Sequence, residues 1–548
     1  MTDLAFLWHM HQPDYRHPES GEFVLPWVLL HAIKDYADMA GHLERHPAIR
    51  CTVNFVPVLL DQIEDYADQF ASGIWRDPLL AIAASVEPER LNETQRCWLL
   101  DMAFRCHAPT MLEPFAPYRR LREIRDFMHP CSDACGSYLS GQYYADLATW
   151  LLLAWSGETL RRSDPVIAGL LAKGELFTLA DRLNLLAALR RVIEQLIPRY
   201  RALAEGGQIE LSCTPSHHPL APLLLDFASA REAWPECLLP AAPAYPGGRT
   251  RVAAHLADAR ESHTRRFGRP PAGLWPAEGA ISTPFLEQVR DAGFQWAASS
   301  AGVLRNSAGA DASPYQPWQV PDSDLNLFFR DERLSDLIGF EYARWHGRDA
   351  AGHFVGEIAA IVRKTPNALI PVFLDGENAW EYYPYNAWYF FDDLYTALAA
   401  APDIRTVTLS EACARHAGRR QPLPKLTAGS WVYGTFSTWI GHPDKNQAWE
   451  MLCEAKQNAD RALGSGHLSA DERAAVLARL AVCESSDWFW WFGDDNPAAS
   501  VASFDQLFRE NLKALYRLLK LPAPASLEHA ISRGDKAAEV GGTMRRAV

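Results

Sequence analysis

Five clusters of polar residues follow short apolar runs in this sequence: HMHQPDY at 9–15, SHHP at 216–219, GLWPAEGAIS at 273–282, FFRDERLSDLIGF at 328–340 and LDGENAWEYYPYN at 374–386. Glu278 stands just after the apolar GLW. Asp375 follows PVFL and precedes Gly376, Glu377 and Asn378. Two carboxylates on different strand ends are what cleavage of a glycosidic bond requires, one to attack or position the attacker and one to protonate the leaving oxygen. Taken singly, Glu278 also reads as a surface residue in a turn and Asp375 as a helix N-cap. His9, His11, Asp14, His217 and His218 are good ligand types, so a metal-dependent hydrolase is the main rival. On spacing alone, Asp331 and Asp336 compete with Asp375 as proton donor.

The aromatic residues point the same way. The chain holds 19 Trp, 18 Tyr and 24 Phe, many of the Trp beside Asp, Glu, Asn or His. Flat rings next to polar groups suit a sugar, with its apolar C–H faces and rim of hydroxyls. Trp431, Phe436 and Trp439 alternate with Gly and Ser, and five aromatics follow Asp487 without a break. Five in succession cannot all face one core, so some reach a cleft or form a seam between domains. A noncatalytic glucan-binding protein is therefore a third reading.

These groups need a scaffold. Apolar runs predict strands at 4–8, 52–56, 208–212, 294–298, 325–329 and 368–374, with a weaker one at 406–409. Apolar positions repeating at three and four predict helices at 142–155, 163–172, 178–200 and 284–291. The alternation is that of an α/β domain, in which the carboxyl ends of parallel strands gather a site; five polar clusters at such ends imply one pocket. Closure into a barrel is not readable from periodicity. After about residue 410 the pattern turns helical, at 444–462, 470–483 and 504–519, so the expected organisation is 1–410, 411–520 and a poorly ordered tail at 521–548. Residues 304–323 read as a surface loop.

Length and charge bound the rest. The 548 residues allow a large core, and 53 Lys and Arg against 67 Asp and Glu give a net charge of -14, with no general attraction to nucleic acid or anionic membrane. The N-terminus lacks the pattern of a secretory signal and no apolar stretch is long enough to span a bilayer, so the expected location is cytoplasmic. Ten scattered Cys read as reduced thiols. The close pair Cys131 and Cys135 has no second ligand pair at a zinc-site spacing, and no metal is assigned there.

In order along the chain, HMHQP, QIELSCTPSHHP, GLWPAEGAIS, FFRDERLSDLIGF, FLDGENAWEYYP, GSWVYGTFSTWIGHPDKNQAW and SDWFWWFGDD resemble the conserved regions of glycoside hydrolase family 57, most closely its α-amylase and amylopullulanase branch. The resemblance runs from residue 4 to about 515. It implies an incomplete seven-stranded (β/α) barrel followed by a helical domain, and retaining cleavage of α-1,4-glucans without cofactor or metal. A 4-α-glucanotransferase or branching enzyme, or action on α-1,6 bonds, is the nearest alternative. It further implies that Glu278 is the nucleophile and Asp375 the general acid/base, the first ionised and the second protonated at the start. His11, His218, Trp275, Trp431, Asp487 and Trp490 are then expected to bind substrate, with His217 able to replace His218 and Trp275 equally able to be a floor beneath Glu278. Arg330, Asp331 and Glu377 are expected to support the site, with Asp336 capping the helix after it. The expected partner is an α-glucan or maltooligosaccharide.

Overall fold

The computed structural model describes residues 1–128 and 138–535. The pair Cys131 and Cys135, and residues 536–548 of the expected tail, lie outside the described residues; the described cysteines are free thiols. In chain order the strands are β1 (Thr2–Met10), β2 (Cys51–Phe55), β3 (Ile209–Cys213), β4 (Gly273–Leu274), β5 (Trp296–Ser300), β6 (Trp318–Gln319), β7 (Asn326–Arg330), β8 (Leu369–Asp375), β9 (Ile404–Thr406) and β10 (Gln421–Pro422). Seven of them run parallel in the spatial order β8-β1-β2-β3-β4-β5-β7. The short ones extend the edges: β6 lies antiparallel to β7, β10 joins β6, and β9 pairs with the start of β1. The sheet curls until the Asp331 amide donates to Pro371 O at 2.7 Å. No ladder closes that gap among the described residues, so the barrel is incomplete.

All nine residues of β1 are buried. Their alternation divides two cores, because successive side chains leave a strand on opposite faces. Leu4, Phe6, Trp8 and Met10 point outward into the large core beneath the helices, while Ala5 and Leu7 point inward to Trp275, Trp296, Phe328 and Phe373. The inner core is tight at Gly273, where an added Cβ would fall 1.7 Å from the Trp296 ring.

The helical region follows as Pro443–Gly464, Ala470–Cys483, Asp487–Trp491 and Ala498–Leu518. Its centre is the Trp449 and Phe489 stack, with centroids 3.9 Å apart, beside Phe508. In the last helix and its cap, Phe504, Leu507, Phe508, Leu512, Leu515 and Leu519 form one face that is buried throughout.

Some details differ from expectation. Strand β10 belongs to the sheet although it lies beyond residue 410. The weak strand expected at 406–409 is shorter and earlier, because Thr408 and Glu411 form a capping box that starts a helix at Leu409. Residues 521–535 hold a defined path instead of forming the start of a loose tail. The Asp505 carboxylate collects the amides of Ile531 and Ser532, and Leu527 is buried. The interval 304–323 begins inside the helix Ala301–Ala308 and contains β6.

Gly273→Ala should destabilise the fold by about 3 kcal/mol, the upper end for overpacking a filled core, because the Trp296 ring must move within a closed layer. Urea unfolding of the purified variant measures this; unchanged stability would show that the inner core yields more easily than its packing implies.

Candidate active site

The carboxyl ends of β1, β3, β4, β7 and β8 open into one cleft holding about 930 Å³ of space, part of it open to solvent. Glu278 and Asp375 both line it, with Arg330 and Glu377. His11 and His218 line it from the loops after β1 and β3, and Trp431, Asp487 and Trp490 come from the C-terminal part of the chain. Of the residues expected at the site from sequence, Trp275 and Asp331 alone do not line the cleft.

Asp375 ends β8 directly opposite His9 of β1. Asn378 donates to its Oδ2 at 3.2 Å. Glu278 sits in a one-turn helix with φ +59°, a left-handed conformation uncommon for any residue but Gly. Trp431 holds it twice: the backbone amide donates to Glu278 O at 3.1 Å, and the indole Nε1–H donates to Oε2 at 3.1 Å. His218 is also left-handed, at φ +56°, and its Nδ1 lies 3.9 Å from Glu278 Oε1.

The imidazoles form a stack. His11 and His218 lie 3.7 Å apart at 18°, and His9 is 5.3 Å from His218. His11 Nε2 faces Asp487 at 2.9 and 3.1 Å, while His218 Nδ1 meets Ser486 Oγ at 2.8 Å. His9 Nδ1 is 2.7 Å from Asn54 Oδ1, and the Asn54 amide nitrogen donates to Ser212. Asn54 Oδ1 can only accept, so this assigns the proton to His9 Nδ1. His11, His218 and Asp487 offer donor atoms within 4.8 Å of one another. Each ring has one oxygen partner, Asp487 for His11 and Ser486 for His218, while His11 Nδ1 and His218 Nε2 are buried without a hydrogen-bond partner among the described residues. Asp14 does not join this group: it forms a two-point pair with Arg16, beside a separate cleft that His217 lines. His218, not His217, is the histidine of SHHP that faces the site.

Trp275 is fully buried in the inner core, 5.1 Å from Trp431 and nearly perpendicular to it. It does not line the cleft, so of the two places expected for it, beside a sugar or beneath Glu278, the first is not the one it takes. Asp331 likewise turns away, because its carboxylate caps the helix Glu332–Asp336 through the Leu334 amide and accepts from Tyr315. The expected roles of two aspartates are thus exchanged: Asp331 caps, and Asp336 pairs with Arg330 at 2.8 Å. Ser486, Trp491, Gln12 and Tyr15 are not singled out by the sequence. Trp491 stands within the aromatic run, whereas Ser486 carries no signal apart from its place beside Asp487.

The sequence profile described as Glycosyl hydrolase family 57 matches residues 5–424. The chain belongs to that family. Its fold is similar to a family 57 branching enzyme from Pyrococcus horikoshii, at 15% identity and TM-score 0.58 over 94% of this chain and 89% of that one. It is also similar to an α-amylase from Thermotoga maritima, at 14% identity and TM-score 0.56 over 95% and 93%. A 4-α-glucanotransferase from Thermococcus litoralis shows 13% identity and TM-score 0.52 over 94% and 60%. No curated protein sequence matches the chain significantly.

In this family 57 enzyme, burial dominates the electrostatics of the cleft. Burial and the charges of Asp487 and Asp375 push Glu278 up to about 8, against the Trp431 hydrogen bond. Burial also raises Asp375, to about 6, opposed by Asn378, His11 and Arg330. Both carboxyls are thus lifted out of the ordinary carboxylate range by burial, Glu278 further because it also faces the charges of Asp487 and Asp375. Glu377 is raised well above its usual value by burial and by Asp375. Its Oε1 accepts the His11 amide at 3.2 Å, and that bond and one from the Gln12 side chain oppose the rise. His9 and His218 are held neutral by burial and by His11.

Trp431→Phe keeps a ring at the cleft but removes the indole N–H that stabilises ionised Glu278. The Glu278 pKa should rise by about one pH unit, the equivalent of one hydrogen bond to a charged group. A ¹³C NMR titration of protein labelled at glutamate carboxyls reads this directly; a fall would contradict the assigned contact.

Proposed function

We propose that this family 57 enzyme breaks α-1,4 bonds of a glucan with retention and passes the glycosyl group to a sugar hydroxyl, as a 4-α-glucanotransferase or branching enzyme does. The observation that carries the reading is the pair Glu278 and Asp375, on separate strand ends of one cleft walled by Trp431, Trp490 and Trp491. Glu278 attacks the anomeric carbon as Asp375 gives its proton to the departing glycosidic oxygen, and a glycosyl ester forms on Glu278. Asp375, now ionised, takes the proton of an acceptor hydroxyl whose oxygen attacks the same carbon and frees Glu278. Two inversions give net retention. His11 and His218 hold hydroxyls of the bound sugar, and Arg330 offsets the negative charge near Asp375.

An acceptor sugar competes with water for the ester, and apolar ring faces along the cleft favour the sugar, since they bind its C–H faces and displace water. The branching enzyme and the glucanotransferase among the proteins of similar fold agree with transfer. Hydrolysis is the second reading, favoured by the motif resemblance to amylases and by the similar fold of an α-amylase. Pure protein incubated with maltoheptaose and with amylose separates them. Chains longer than maltoheptaose indicate transfer, new α-1,6 linkages indicate branching, and short sugars alone would replace transfer by hydrolysis.

Glu278→Gln should lower turnover by at least about three orders of magnitude while glucan binding persists. A fluorinated glucosyl substrate should label the wild-type protein at Glu278 in a peptide mass map; a label on Asp375 or Asp487 would overturn the assignment.

One proton shared by the two carboxylates sets the pH dependence. Below about 6 both are protonated and no nucleophile is present; above about 8 both are ionised and no acid remains. The kcat/KM profile should be a bell with limbs near those values. In Asp375→Asn, assayed on an activated aryl glycoside that needs no acid, the falling limb should vanish and a single rising limb set by Glu278 ionisation should remain, shifted below about 8 because one of the charges that raises Glu278 is gone; a falling limb that persists, or a rising limb that stays near 8, would refute the coupling.

A further inference from the structure

We propose that Glu484 is a positioning residue for the active site, holding His218 and Asp487 in place through a closed circuit of contacts that spans the barrel and the helical region. The inference rests on the proposed role of the cleft around Glu278. Glu484 follows the helix Ala470–Cys483 and is fully buried. Three side chains outside the helical region grip its carboxylate: Tyr245 donates its hydroxyl at 2.5 Å, Arg251 donates Nε and Nη2, both at 2.8 Å, and His255 Nε2 lies at 2.7 Å. Burial alone would raise this carboxyl, yet His255 and Arg251 outweigh it and hold the pKa down at about 2. It is a fixed charge, unlike the carboxyls of the cleft.

The circuit runs in two directions from this point. Through His255 it reaches Ser216: His255 Nδ1 is 2.9 Å from Ser216 Oγ, and the Ser216 amide donates to His255 O at 3.1 Å. Ser216 enters the turn in which His218 takes its left-handed conformation. Along the chain from Glu484 it reaches Ser486, whose amide donates to His218 O at 2.9 Å and whose Oγ meets His218 Nδ1 at 2.8 Å. A bridge between Pro219 and Ser485 reinforces this side. One residue further, Asp487 receives the Ser485 hydroxyl and faces His11 Nε2. Both ends of the His218 turn are thus tied to one carboxylate that does not itself reach the cleft.

A buried ion pair can be simple glue between two parts of a chain, and such pairs add little net stability. Glue does not account for the placement here. His255 turns its second nitrogen to the near end of the turn that Ser486 holds at its far end, and a left-handed residue persists only where its surroundings over-determine it.

The test compares Glu484→Gln, Ser216→Ala and a control, Asp3→Asn. Asp3 is likewise a buried carboxylate, bound by Arg405, Arg415 and His416 at the opposite end of β1. With maltoheptaose, Glu484→Gln should lower kcat about 10- to 100-fold and leave KM within about threefold, since misplacing reacting groups by about 1 Å is enough for that loss. Ser216→Ala should lower kcat several-fold, and Asp3→Asn should leave it unchanged. If Glu484→Gln does not fold, Ser216→Ala decides, because it leaves the Glu484 and Arg251 pair intact. Wild-type kcat in a folded Glu484→Gln or Ser216→Ala, KM rising as far as kcat falls, or an equal loss in Asp3→Asn would overturn the proposal. A wild-type enzyme inert on every glucan would sink the proposed function instead. The crystal structure of Ser216→Ala tests the role of Glu484 independently of turnover: displacement of the His218 turn supports it, and an unmoved turn refutes it.

Discussion

The register of β1 against β8, with His9 opposite Asp375, is the constraint on which the site depends. Because β1 is buried on both faces, its register is strongly specified: a slip of one residue would turn Leu4, Phe6 and Trp8 into the space that Ala5 and Leu7 occupy. The pairing continues past the strand ends. The Gly376 amide donates to His9 O at 2.7 Å, and the His11 amide to Glu377 Oε1. A Cβ at Gly376 would lie 2.1 Å from Met10 Sδ, so any other residue there would have to push the Met10 side chain aside. The proposed acid/base and the histidine that faces Asp487 thus emerge from adjacent strands, with His11 two residues beyond the position opposite Asp375.

Above that core the cleft gathers Glu278, Asp375, Glu377 and Asp487. Four carboxyls at close quarters cannot all ionise, so burial and mutual repulsion keep protons in the cleft. Arg330 does not cancel this, as it is shared with Asp336 and with the Phe373 carbonyl. The imidazoles of His9 and His218 are neutral and add no positive charge. A neutral sugar can enter without bringing charge of its own, and its hydroxyls can donate to the ionised oxygens and accept from the protonated ones. On the proposed mechanism, the proton needed on Asp375 is then already present in the cleft.

Much of this is legible in the sequence because long buried strands and capped helices carry their own signals. The apolar runs at 4–8, 52–56 and 368–374 lie within one residue of β1, β2 and β8 or inside them, and the helix predicted at 470–483 has those bounds. Strand β4 is not predicted, since two residues show no periodicity, and its position follows from pairing with Cys213 and Trp296. The cleft residues are found by motif, and Trp275 shows the limit of that: a motif marks that a residue matters without telling floor from wall. His217 and His218 cannot be separated by sequence because the difference is one backbone angle, imposed by contacts from Ser486 some 268 positions away. Glu484 gives no signal at all, for its partners Tyr245, Arg251 and His255 meet it only in the folded chain.

Glu278 and His218 share a further property that bears on how the helical region contributes. Both are non-glycine residues in left-handed conformations. Each is held by one residue of the C-terminal part of the chain, in the same way: Trp431 and Ser486 each give a backbone amide to the residue's carbonyl and a side-chain contact to its functional group. Paired contacts of this kind fix a backbone and a side chain at once, and neither strained conformation has an equivalent clamp from the barrel among the described residues. The barrel strands therefore set where the two loops begin, while the segment around Trp431 and the turn into the helix Asp487–Trp491 set how they end. A helical region that only covered the cleft could open without cost to the chemistry. Here the turn into Asp487–Trp491 supplies one clamp and the segment just before Pro443 the other, so displacing either would release the loop that carries His218 or Glu278.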